Sequence, residues 1–510
     1  MYRTPLHSLI PISVVADSYK ASHFTMYPDS KKAVGYGEFR KPYGGDKTDN
    51  RFVYYGIRYL VENFLCRQWT KEDVEKADLF YSTHNAGHTA FPFPKHLFLK
   101  FVEENNGYFP VKLQALPEGT CAHIHVPVYQ ITAEKEYTLL LTYFETLLTQ
   151  VWYPTTVATL SRRAKDTIEA AFEKSVDEEN HKLANFKLHD FGFRGCTCLE
   201  QSVLGGCAHL LNFGGTDTMS AAYYAQFELN HGKPVGESIP ATEHSVMTSW
   251  RTEREAIENM IEHHGKGVFS CVLDSYDYAN CLYNILPQIR EKKEKAGGHM
   301  VLRPDSGDPV DAVLMGLDAG EKAFGADVNK KGYKVLRGVS VIQGDGINSA
   351  TLVKILEAAL AKGYSAQSCT FGMGGGLLQK VDRDTMSFAT KLSYIEYADG
   401  RTREVMKYPK TDAEKISLPG TLKVIRNEQG VPVIYPAEAD VAGEDLLRVV
   451  YDHGPVEGAF PEDFDTLKAR VQSEWTALPR VFDPISPQLR QKMDTWVQTM
   501  KETLAQNLAA

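Results

Sequence analysis

Apolar and polar positions change their rhythm twice along the 510 residues of this chain. At first, short strand-like runs are mixed with helical ones. Segments 11–16 and 32–39 read as strands, and 51–66 leads into a helix. Segment 111–132 alternates around Pro117-Glu118-Gly119, which is the pattern of an antiparallel hairpin. Segments 137–153 and 159–174 read as helices.

From about residue 186 the pattern is different. Short apolar runs end in polar or glycine residues, and helical periodicity follows. The predicted strands are 186–190, 208–213, 268–273, 299–303, 338–343 and 368–372. Helices are expected at 311–322 and 349–362, with another running to about Lys295. Such alternation predicts a parallel sheet with helical crossovers. Polar residues at the C-terminal ends of strands favour a TIM-like α/β barrel over a doubly wound open sheet, because barrel sites gather at that face. After residue 385, strand-like alternation returns at 387–397, 421–426 and 431–435. These strands are expected to join the N-terminal segment in an α+β domain. The expected division is 1–155, 156–384 and 385–510, with surface helices over 461–510.

Composition narrows the class. With 43% hydrophobic and 24% charged residues the chain reads as a soluble globular protein. A net charge of −9 argues against a general nucleic-acid binder, although local amides and arginines can still hold an anion. No run approaches the roughly 20 apolar residues of a membrane helix. The apolar run 9–16, broken by Pro11 and ended by Asp17, does not read as a signal peptide. Eight cysteines are too sparse for a disulfide scaffold, so a reducing cytoplasm is expected. Cys196-Thr197-Cys198 with Cys207 lacks zinc spacing. His84 and His88 stand four apart, but no glutamate follows His84.

Candidate chemistry lies where the strands end. Gly344-Asp345-Gly346 and Gly374-Gly375-Gly376 each follow an apolar run, and the first opens a helix. Glycine lets backbone amides approach phosphate oxygens, and a helix N-terminus adds partial positive charge. Two such loops in succession suggest a phosphate site, as the last strand-end loops of barrels often do. Asp274, Arg303, Asp305 and Asp345 also sit at strand ends. Carboxylates there can stabilise an oxocarbenium-like state, hold ribose hydroxyls and carry Mg²⁺. The plainer reading is that each aspartate caps the next helix. Segment 189–195 sets Phe191 and Arg194 among glycines, suited to a planar heteroaromatic ring, or else to two core phenylalanines beside a surface arginine.

These blocks occur together with Asp17-Ser18-Tyr19-Lys20, Gly215-Thr216-Asp217-Thr218, Pro240-Ala241-Thr242-Glu243-His244-Ser245, Asp274-Ser275-Tyr276-Asp277, Arg303-Pro304-Asp305-Ser306-Gly307 and Gly374-Gly375-Gly376-Leu377-Leu378-Gln379-Lys380. In that order, from about residue 13 to 415, the chain resembles the nicotinamide phosphoribosyltransferase family. The resemblance implies a homodimer with shared active sites. Phe191 would stack on nicotinamide and Tyr19 of the partner subunit would cover the other face. Asp217 would accept from the carboxamide NH₂ and repel nicotinate, with Arg194 near the same rim. Arg303 and Asp305 would hold ribose and phosphate beside Asp274. Gly344, Asp345, Gly374 and Gly375 would line the 5′-phosphate pocket, assisted by Arg383. Arg40 and Lys391 are basic candidates for pyrophosphate or ATP phosphates.

The resemblance also implies that His244 is phosphorylated by ATP, an optional co-substrate, with Glu243 and Asp17 as secondary candidates. It implies Mg²⁺ as cofactor, with ligands left open. Met373 and Phe193 depart from residues frequent in the family, a small polar one and a tyrosine. Nicotinate phosphoribosyl transfer is the alternative. A phosphosugar aldolase or isomerase would want a strand-end lysine, and none stands out. A binding protein without catalysis fits poorly with Asp274, Arg303, Asp305 and His244 together.

Overall fold

The computed structural model describes residues 9–509 apart from 410 and 412, so the ends of the segments read as 1–155 and 385–510 lie outside the described residues. Along the chain, the strands of its two main sheets are β1 (Ser30–Phe39), β2 (Val111–Ala115), β3 (Tyr129–Glu134), β4 (Leu188–Asp190), β5 (Val268–Val272), β6 (His299–Arg303), β7 (Val339–Gln343), β8 (Cys369–Met373), β9 (Phe388–Tyr397), β10 (Thr402–Glu404) and β11 (Arg448–Asp452). Two compact units result. One is Met1–Thr156 with Arg383–Glu462 and Ala469–Ala510, and the other is Val157–Asp382 with Asp463–Lys468.

The first unit is built on an antiparallel sheet of order β10-β9-β1-β3-β2-β11. β1 is its spine, pairing with β9 down to Phe39↔Phe388 and with β3 from Lys32↔Glu134 to Gly37↔Tyr129. Its buried face carries a large aromatic cluster, in which Trp69 meets the rings of Phe98, Phe101, Phe109 and Phe144. Four expectations change here. Segment 11–16 is a single 3₁₀ turn, Ile12–Val14, because Pro11 has no amide to give a ladder. Segment 137–153 breaks into a 3₁₀ turn (Lys135–Leu140), a short helix (Glu145–Thr149) and the start of the helix Trp152–Ser175. β2 and β3 do pair as a hairpin, but Cys121–His123 between them pairs with Arg51–Val53 instead. At the C-terminal end the helices Phe464–Ala477 and Pro487–Ala509 bury Phe464, Trp475 and Leu489, so they are more than surface cover.

The second unit holds a curled parallel sheet of order β4-β8-β7-β6-β5. Both of its edges continue only through single parallel bridges: Asp190 with Thr216, Gly215 with Glu237, and Ala241 with Ser270. It is a mixed α/β unit with a half-barrel sheet. Segment 208–213, expected as a strand, instead ends the helix α1 (Leu199–Leu210). An apolar run buried on every side has no period to tell strand from helix. Further helices are α2 (Met219–Phe227), α3 (Glu253–His264), α4 (Pro309–Phe324) and α5 (Ser349–Ala361). α4 buries Val313, Leu317 and Phe324 as its apolar face. Among the described residues no helix is long and apolar enough to cross a membrane.

Candidate active site

The helix-cap reading of the strand-end aspartates is answered directly. Each cap lies three residues beyond the acid. Asp277 accepts from Asn280 N at 2.9 Å, Asp308 from Val310 N and Asp311 N at 2.9 and 3.0 Å, and Asn348 from Ala350 N and Thr351 N at 2.9 and 3.1 Å. Asp274, Asp305 and Asp345 are therefore not caps of the helices that follow.

A cavity of about 700 Å³ opens at the strand C-termini, lined by Asp190, Phe191, Phe193, Arg194, Asp217, Thr218, Arg303, Asp305, Gly344 and Gly374. A larger cavity of about 850 Å³ lies in the first unit around Glu404, Lys492 and Trp496, and carries none of these residues. In the strand-end cavity the ring of Phe191 rests on bare backbone: a Cβ on Gly372 would come within 2.0 Å of it. The Arg303 guanidinium lies 5.5 Å from the same ring's centroid, within reach of a cation–π contact. Asp217 is exposed, and one of its oxygens accepts from Ser238 Oγ at 2.7 Å.

The acids form a connected set. Asp274 Oδ2 accepts from Asp305 N at 2.8 Å and from Ser306 Oγ at 2.6 Å. Asp305 Oδ1 accepts from Arg303 Nη2 at 2.9 Å. His244 Nε2 stands 3.4 Å from Asp305 Oδ2 and 3.7 Å from Asp274 Oδ1, and its Nδ1 is 3.1 Å from Ser275 Oγ. Glu243 accepts from the Ser245 hydroxyl. Behind them Glu253 is buried, and burial raises its pKa.

The two glycine loops touch each other, and Gly346 needs its left-handed φ of +68°. The buried Gln343 side chain donates to Asp345 O at 2.9 Å and so holds the first loop from beneath. The Asp345 carboxylate is exposed outside the cavity lining, and Gly375 begins a four-residue helix, Gly375–Leu378.

Every strand of the parallel sheet leads to a buried polar atom without a hydrogen-bond partner: Asp190 Oδ2, Asp274 Oδ1, Arg303 Nε, Gln343 Oε1 and, beyond β8, Gln379 Oε1. Unmet polar atoms are costly in a core, and their gathering at one face marks a place for ligand and water. The buried Asp274 oxygen, with Asp305 beside it, would suit a hard divalent cation such as Mg²⁺ only if the substrate supplied further oxygens. Among the described residues no group of three His, Cys, Asp or Glu could hold an ion alone.

The other candidates belong to the first unit. Tyr19 is 55% exposed, and Asp17 accepts from Thr146 Oγ1 at 2.7 Å. Arg40 donates to Ser387 O at 3.0 Å. Lys391 has its pKa lowered by burial and then by the charge of Arg40. Arg383 is exposed, with Asp384 at 3.9 Å. Sequence reasoning missed Asp190, Gly372, Gln343 and Gln379. All four stand inside or beside quoted motifs, but nothing in their types marked them.

A half-barrel parallel sheet with paired glycine loops, linked acids and a ring-bearing cavity defines an α/β enzyme of the phosphoribosyl-transferring kind. A nicotinate phosphoribosyltransferase family model matches residues 186–455, and a nicotinamide phosphoribosyltransferase N-terminal domain model matches 11–113. The nicotinamide phosphoribosyltransferase of Xanthomonas campestris pv. campestris is 39% identical over 467 residues, covering 88% of this chain and 96% of that one. That of Acinetobacter baylyi is 29% identical over 91% of this chain and 97% of its own. The fold is also that of human nicotinic acid phosphoribosyltransferase, with a TM-score of 0.60 at 16% identity, covering 94% of this chain and 100% of that one. The chain belongs to the nicotinate phosphoribosyltransferase family, on its nicotinamide phosphoribosyltransferase branch.

Proposed function

We propose that this protein transfers the 5-phosphoribosyl group of 5-phosphoribosyl-1-pyrophosphate to nicotinamide, giving nicotinamide mononucleotide and pyrophosphate for NAD salvage. The observation that carries this reading is one cavity lined by a stackable ring (Phe191), an exposed carboxylate (Asp217) and both glycine loops (Gly344 and Gly374). In the reaction the bond from ribose C1′ to pyrophosphate breaks and the pyridine nitrogen bonds to C1′. Positive charge develops on the sugar between the two events. Asp274 and Asp305 are suited to stabilise it, Arg303 to hold phosphate, and the glycine loops to bind the 5′-phosphate. Mg²⁺, when bound at Asp274 and Asp305, would neutralise the pyrophosphate. Asp217 would accept from the carboxamide, and Arg194 would lie at its rim.

His244, between Asp305 and Ser275, is the proposed acceptor of phosphate from ATP, with Arg40, Lys391 and Arg383 for the anionic groups. A homodimer is supported by an exposed stripe on α2, where Met219, Tyr223 and Phe227 are 81%, 64% and 50% exposed. Tyr19 of the partner subunit would then cover the base. The half-barrel and its bridges are read as an irregular α/β barrel. A cytoplasmic location agrees with eight free cysteines. The second reading, nicotinate as the base, is favoured by Arg194 and Arg303 on the same cavity. Steady-state assays with both bases decide between them. A higher kcat/KM for nicotinate would overturn the proposed substrate.

A further inference from the structure

Asp190 is the last residue of β4 and its carboxylate is fully buried. Its Oδ1 accepts from Gly192 N at 2.7 Å, closing a tight turn whose middle residue is Phe191. Its main-chain oxygen accepts from Asp217 N at 3.0 Å. The other carboxylate oxygen makes no close hydrogen bond, but the buried hydroxyl of Thr218 beside it still favours the ionised acid. Both crowd Gly206 of α1, where a Cβ would lie 3.2 Å from Asp190 Oδ2 and 3.4 Å from the Thr218 methyl. Phe191 N is held separately, by Met373 O at 3.0 Å.

We propose that Asp190 is a positioning residue for base recognition, fixing the Phe191 ring through its side chain and Asp217 through its main chain. The inference rests on the proposed function and concerns how that base pocket is set. A carboxylate buried without a cation is retained against its desolvation cost, which calls for a local task. The Gly192 turn supplies one, because an acceptor is needed there and only the Asp190 side chain provides it. The first glycine loop is anchored elsewhere, by the Gln343 side chain at Asp345 O, so the task of the Asp190 side chain falls chiefly on the base.

The test compares Asp190→Ala and Asp190→Asn, with KM measured separately for nicotinamide and for 5-phosphoribosyl-1-pyrophosphate. Asparagine keeps an oxygen for Gly192 N and offers an N–H to Thr218. Asp190→Ala is expected to raise the nicotinamide KM about tenfold or more, roughly 1.4 kcal/mol, and to change the phosphoribosyl donor's KM less than about threefold. Asp190→Asn is expected to restore the nicotinamide KM to within about threefold. An unchanged nicotinamide KM in Asp190→Ala, or an equal rise for both substrates, overturns the proposal. Should the alanine variant not fold, a tenfold rise in Asp190→Asn overturns it alone. Nicotinate is assayed in parallel with the wild type, so a wrong base assignment shows there, whereas a wrong role for Asp190 shows only in the variants.

Discussion

Gly376 lies against the carbonyl of Ile347: a Cβ on the glycine would stand 2.4 Å from that oxygen. The two glycine loops therefore meet backbone to backbone. Gly376→Ala must push them apart at a strain of about 1–3 kcal/mol. The phosphoribosyl donor is expected to bind at least tenfold more weakly, as titration calorimetry would measure. Unchanged donor affinity would show that the contact is not needed.

Gly372 answers for the base in the same way. An added methyl would come within 2.0 Å of the Phe191 ring, so Gly372→Ala must turn the ring out of its place. The expected outcome is a nicotinamide KM raised about tenfold or more, with the donor KM nearly constant. A uniform loss of both affinities would point instead to a disturbed sheet.

Asp217 tests selectivity. Replacing it by asparagine removes the charge that repels a carboxylate, while a side-chain oxygen remains for the amide. Asp217→Asn is expected to narrow the ratio of nicotinamide to nicotinate kcat/KM by roughly tenfold or more. The ratio in competition assays is the measurement, and an unaltered ratio removes Asp217 from base choice.

His244 is checked with γ-labelled ATP. The wild type is expected to take up acid-labile label and His244→Ala to take up none. Label that persists in the variant assigns the phosphate to another residue.

Burial, opposed in part by the hydrogen bond from Gly192 N and by the Thr218 hydroxyl and aided slightly by repulsion from Asp217, lifts the Asp190 pKa from 3.8 to about 6. In the unfolded chain the group ionises near its ordinary value, so the folded protein holds a proton that the unfolded chain releases between those limits. Ionisation thus costs stability, nothing below about pH 4 and its full amount above about pH 6, on the order of 3 kcal/mol. Asp190→Asn does not ionise. Its melting temperature is expected to exceed that of the wild type at pH 7.5, with the gap closing toward pH 4.5. A gap that stays constant with pH would refute this account.

Much of the second unit was legible because its strands are apolar runs that stop abruptly at a charge or a glycine, as at Arg303 and Gly344. The site followed from those stops, since the residues that face a cavity are the polar ones a buried strand cannot keep inside. Segment 208–213 was not legible, because Leu210, Leu211 and Phe213 are buried in a way that suits either helix or strand. Asp190, Gln343 and Gln379 escaped notice for another reason. What distinguishes them is a buried atom left without a partner, and a partner's absence is a fact of three dimensions. Gly372 carries no side chain to read, and its importance belongs to the ring of Phe191.

The three-residue offset between strand-end acid and helix cap separates two duties that one aspartate could have held. Positions 274, 305 and 345 can change charge while Asp277, Asp308 and Asn348 go on seating their helices. A lineage can therefore revise its chemistry at the mouth of the sheet, one acid at a time, while the scaffold beneath keeps its own terms of folding.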